Sequence, residues 1–120
     1  MARILIADDS TVMRRSLNML LTRAGHEIVG EAANGEQAFN LYAQHLPDIV
    51  TMDISMPLMS GSDAICKIVE AYPDARIIVI SALDQKKLIL QSLKNGAKHF
   101  IIKPVTEEKL LHSIQAVLAE

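Results

Sequence analysis

DIVTMDISMPLMSG, residues 48–61, places four uncharged residues, Ile49, Val50, Thr51 and Met52, directly before a carboxylate, Asp53. A strand with one wet face would alternate apolar and polar side chains. This run does not alternate, so it predicts a strand covered on both faces, as in a parallel sheet between helices. The loop after it carries Pro57 and Gly61. A buried strand that ends on a charged group must have a use for that charge, and the rest of the chain shows what the use is.

Similar apolar runs recur at regular intervals, each followed by a helical pattern. Ile4–Ala7 stops at Asp8-Asp9. Then Met13, Leu17, Leu20, Leu21 and Ala24 fall on one helical face, with Ser10 or Thr11 able to cap its start and Gly25 to end it. Glu27–Ala32 reads as a second strand and Asn34-Gly35 as a turn. Ala38, Leu41 and Tyr42 mark a second helix that ends before Pro47. After the strand at 48–52, Ile65, Ile68, Val69 and Tyr72 mark a third helix, stopped by Pro73. Arg76–Ile80 is the most β-branched run. Leu88–Leu93 lies in a fourth helix ended near Gly96, and His99–Ile102 is the fifth strand. Thr106 caps the last helix, with Glu107 and Glu108 in its first turn, where the helix dipole favours acids. Leu110, Leu111, Ile114, Val117 and Leu118 form its apolar stripe.

Five strands alternating with five helices predict an α/β fold: a five-stranded parallel sheet with helices on both faces. Right-handed crossovers leave few topologies, and the order 2-1-3-4-5 is the common one at this size. The 120 residues are expected to form one domain. Half of them are hydrophobic, enough for a core without disulfides. The net charge of −2 and dispersed Lys and Arg argue against nucleic-acid binding. The lone Cys66, read as a small apolar filler, suits a reducing compartment. No run approaches the roughly 20 apolar residues that span a bilayer. The expectation is a cytoplasmic protein. The four His residues lack metal-ligand spacing and are read as surface groups.

The residues that end the strands are the informative ones. Strand 1 ends on Asp8-Asp9, strand 3 on Asp53, strand 4 on Ser81, and strand 5 on Lys103, followed by Pro104. In the order 2-1-3-4-5 these four strands are neighbours, so their polar ends meet at one sheet edge, where ligands bind in such folds. Three crowded carboxylates repel. Mg²⁺, which takes oxygen ligands and often phosphate oxygens, relieves that repulsion, and a backbone carbonyl after Asp53 can join the set. Lys103 balances remaining charge and Ser81 offers a neutral donor. A carboxylate nucleophile, metal, cation and donor together suit phosphoryl transfer.

Four motifs in this order, ILIADDSTVMRR, DIVTMDISMPLMSG, IIVISA and NGAKHFIIKP, resemble those of response-regulator receiver domains over essentially the whole chain. That resemblance implies a flavodoxin-like (βα)5 fold and a single receiver domain, residues 1–120. It implies that Asp53 accepts a phosphoryl group from a histidine kinase or phosphotransfer domain. Asp8, Asp9 and Asp53 would hold Mg²⁺ together with the backbone carbonyl of Ser55. Ser81 would bind the attached phosphoryl group, Lys103 would pair with Asp53, and Lys103–Pro104 would be cis. Ser81 and Phe100 would form a switch altering the surface of helix 4, strand 5 and helix 5 toward a downstream protein target, as in chemotaxis. No partner membrane or nucleic acid is implied.

Plainer readings stand beside these. Ser81 alone suits a cap for helix 4, and Phe100 alone suits static core. Val12 and Met19 fall outside the core face of helix 1. They either pack under helix 5 or, rimmed by Arg14 and Arg15, dock a phosphotransfer bundle. Leu83 is expected to shield the acyl phosphate from water. A receiver belonging to a longer transcriptional or enzymatic regulator fits the same motifs. A flavodoxin-like electron carrier fits poorly, because an acid pair stands where its phosphate loop belongs. A Mg²⁺-dependent aspartyl-phosphate phosphatase lacks its general acid and cap.

Overall fold

The computed structural model describes all residues, 1–120. Its order is β1 (Arg3–Ala7), α1 (Thr11–Arg23), β2 (Glu27–Ala32), α2 (Gly35–His45), β3 (Ile49–Asp53), α3 (Gly61–Ala71), β4 (Ile77–Ser81), α4 (Lys86–Lys94), β5 (His99–Ile102) and α5 (Glu107–Leu118). The five strands form one parallel sheet in the order β2-β1-β3-β4-β5. No helix is long and apolar enough to cross a membrane.

Strand side chains alternate between faces, so each central strand feeds two apolar layers. Leu5, Val50, Met52, Ile77 and Val79 pack with α2, α3 and α4 through Ala38, Tyr42, Ile65, Ile68 and Ile89. Ile4, Ile6, Ile49, Ile78 and Ile80 pack with α1 and α5 through Leu17, Leu21, Leu110, Ile114 and Val117. All five residues of β3 and all five of β4 are buried. Thr51 sits in the second layer's register, opposite Ile6 and Ile78. Its hydroxyl is buried without a hydrogen-bond partner.

Polar side chains at the helix starts explain the element boundaries. Ser10, Asn34, Ser60 and Thr106 accept main-chain N–H donations from Met13, Gln37, Asp63 and Lys109. Ser10, not Thr11, therefore caps α1. Asn34-Gly35 is not a free turn: Asn34 caps α2 and Gly35 is its first helical residue. Gly25 closes the end of α1 at φ +95°.

Four local readings are corrected. Ala24 is exposed, because it is the C-cap of α1 and has left the helical stripe. Leu118 is also exposed, in the last helical position, where no neighbouring element covers it. Cys66 is exposed on α3 and fills no apolar space. Val12 and Met19 do not pack under α5; they are 79% and 58% exposed.

Candidate phosphoacceptor and metal site

The carboxyl ends of β1, β3, β4 and β5 deliver the polar groups to one edge, as the topology requires. Oxygens from Asp8, Asp9 and Asp53 lie within 4.8 Å of one another. Lys103 Nζ approaches Asp53 Oδ1 at 3.7 Å. Asp8 and Asp53 are buried, Asp9 is exposed, and Lys103 is half-buried. The Lys103–Pro104 peptide is cis.

Asp8 is held by its own loop. Its Oδ1 accepts from the Ser10 N–H at 2.8 Å, while Oδ2 is buried with no partner. Asp53 Oδ1 accepts a long 3.4 Å bond from the Ser55 N–H. Burial, more than any other influence, pushes the Asp53 carboxyl up to about 6, and the negative charge of Asp8 adds to it. Lys103 and the Ser55 N–H pull the other way and do not prevail. Asp8 is raised as well, again chiefly by burial. Two crowded carboxyls that resist ionisation form a site that favours a cation. An orphaned buried oxygen in an all-oxygen donor set fits Mg²⁺.

Gly61 explains how a buried carboxylate and a helix start share this edge. Its N–H donates to the Ile54 carbonyl at 2.8 Å. A Cβ there would stand 2.2 Å from the Asp53 carbonyl oxygen. Only glycine lets α3 start against the main chain that carries Asp53.

Ser81 is buried on β4, and its hydroxyl donates to the Ala82 carbonyl at 3.2 Å, not to Asp53. Nor does it cap α4, whose N-cap is Gln85. Phe100 is 41% exposed, so a static core role is ruled out. Beside it lies an apolar cleft of about 220 Å³ between α4 and β5, walled by Leu83, Ile89, Leu90, Leu93 and Ile102.

Two contributors escaped sequence reasoning. Arg14 is not a free rim cation. Its guanidinium donates to the Asp8 carbonyl at 2.7 Å and pairs with Glu31 on β2 at 3.3 Å, bracing the loop that presents the acid pair. Its position one turn into α1, facing β2, was the available signal. Gln85 reaches the loop after β3 through its side chain, and no spacing rule marks it.

A model of the response regulator receiver domain matches residues 4–115. The chain is 45% identical to the chemotaxis protein CheY of Thermotoga maritima, covering 96% of both sequences. It is 43% identical to the chemotaxis protein CheY of Bacillus subtilis, covering 97% of each. Among solved structures it is similar to a chain of the CheX–CheY–BeF3–Mg²⁺ complex from Borrelia burgdorferi. The TM-score is 0.94 at 39% identity, over 98% of this chain and 90% of that one.

Proposed function

Since the chain belongs to the response regulator receiver domain family, we propose that Asp53 is its phosphoacceptor, charged by a histidine kinase or a histidine phosphotransfer domain. The observation that carries this reading is the meeting of three carboxylates within 4.8 Å beside the Lys103 ammonium.

An Asp53 oxygen attacks the phosphorus of a phosphohistidine in line with the departing imidazole. The O–P bond forms, the N–P bond breaks, and the imidazole takes up a proton. Asp8, Asp9, Asp53 and the Ser55 carbonyl would hold Mg²⁺, which when bound supplies charge neutralisation to the phosphoryl oxygens. Lys103 exchanges its partner, from the Asp53 carboxylate to a phosphoryl oxygen. The burial of Asp53 keeps water out and makes these charges count for more than they would in solvent. Water later hydrolyses the acyl phosphate.

The Ser81 hydroxyl has only a carbonyl one residue away as its partner, and a phosphoryl oxygen is a stronger acceptor. Its rotation toward that oxygen vacates space, and Phe100 turns inward from its exposed position. The surface of α4, β5 and α5 then changes for a downstream protein target. Whole-chain similarity to chemotaxis proteins supports a role in chemotaxis within the cytoplasm.

The test is direct. The protein incubated with Mg²⁺ and acetyl phosphate should gain the mass of one phosphoryl group, and peptide mapping should place it on Asp53. Asp53→Asn should gain none. Equal labelling of the variant would reject the assignment.

A further inference from the structure

Gln85 sits at the N-cap of α4 yet makes no capping bond to its own helix. Its carboxamide folds back instead. Oε1 accepts from the Ala82 N–H at 2.9 Å, and Nε2 donates to the Ser55 hydroxyl. The Gln85 N–H donates to the Ala82 carbonyl at 3.2 Å, closing the turn 82–85. One side chain thus ties the loop after β3 to the loop after β4. A turn needs no partner 30 residues away; the Ser55 bond is what a purely local role leaves unexplained.

Both loops flank the same carboxylate. Ser55 is two residues beyond Asp53, and Ala82 follows Ser81 on the strand that pairs with β3, where Ile80 stands opposite Asp53. A main-chain N–H at a rigid strand end is a good donor to an anionic oxygen. In the unphosphorylated protein Gln85 takes that donor, and the Ser81 hydroxyl is turned to Ala82. β4 therefore presents no free donor beside Asp53.

Resting on the reading of Asp53 as phosphoacceptor, we propose that Gln85 is a positioning residue: its carboxamide latches the two loops together and withholds the Ala82 N–H until phosphoryl transfer displaces it. On transfer, the bonds to Ala82 and Ser55 break. The Ala82 N–H passes to a phosphoryl oxygen, and the carboxamide turns to water. Opening the latch is part of the barrier to phosphorylation.

The experiment uses the full chain at saturating Mg²⁺ with acetyl phosphate as donor. Gln85→Ala removes the latch, and Gln85→Met removes its hydrogen bonds while keeping its bulk. Both should be phosphorylated about five-fold faster than the parent, the scale of one net hydrogen bond. Ser55→Ala should accelerate the parent by less and add nothing in the Gln85→Ala background, because the two residues act as one unit. Amide exchange at Ala82 should be slow in the parent and fast in both Gln85 variants. Beryllofluoride, a stable stand-in for the phosphoryl group, should make it slow in all three. A Gln85→Met variant as slow as the parent, or slower phosphorylation in both variants, would overturn the latch. A parent that takes no phosphoryl group would instead reject the Asp53 reading, so the two failures are distinct.

Discussion

At the scale of the residue, two buried polar side chains each predict a measurable effect. Asp53 is the first. Its folded carboxyl titrates near 6, above the ordinary 3.8, so the folded state holds this proton more tightly than the unfolded chain does. Ionisation therefore costs stability in the metal-free protein. The cost is absent below about pH 4, grows between about pH 4 and 6, and is complete above that. Urea denaturation in EDTA should show stability falling by about 3 kcal/mol across that window. Asp53→Asn should flatten the fall and be the more stable protein at pH 7. A variant less stable than the parent at pH 7 without metal would contradict burial of the charge as the cause. Thr51 is the second group. Its buried hydroxyl makes no bond in an otherwise apolar layer. Thr51→Val keeps the shape and removes the desolvation cost, and should raise stability by about 1 kcal/mol. Unchanged denaturation midpoints would show that the hydroxyl is satisfied in solution.

At the scale of the element, the helices divide their labour by which face they leave open. α1 buries Leu17 and Leu21 and leaves Val12 and Met19 in water. Arg23 makes an exposed ion pair with Glu107 of α5, while Arg14 is occupied at the acid loop. The first turn of α1 thus lies beside the site with an apolar group fully presented. Val12→Asp should slow transfer from a phosphotransfer bundle about ten-fold, the cost of placing a charge in an apolar contact. It should leave the rate with acetyl phosphate unchanged, and an equal loss with both donors would count against docking. The element boundaries were legible where a capping side chain stood in the right place, as at Thr106. They were not legible at Asn34, where a dipeptide common in turns serves as a cap instead.

At the scale of the whole molecule, one sheet edge concentrates charge that the rest of the fold must tolerate. Two buried, raised carboxyls strain the metal-free state, and a cation there relieves the strain for the molecule as a whole. Mg²⁺ at 100 times its dissociation constant should stabilise the protein by about 2.7 kcal/mol, through binding to the folded state alone. Thermal unfolding with and without Mg²⁺ at pH 7 checks this. Asp9→Ala should remove most of the shift, and Ca²⁺-free NaCl of matched ionic strength should not reproduce it.

The order of elements, the parallel sheet and the polar strand ends were readable from the chain alone. Apolar runs and helical periods are local, and crossover handedness reduces the ways they assemble to very few. Asp8, Asp9, Asp53, Ser81 and Lys103 were recognisable because their positions follow directly from that topology. Which of them touch, and what surrounds them, belonged to the folded structure. The brace from Arg14 to Glu31, the tie from Gln85 to Ser55, the orphaned Thr51 hydroxyl and the exposure of Cys66 have no periodic signal. Each is decided by side-chain directions and by distances between segments remote in sequence, and these exist only once the strands have paired and the helices have packed.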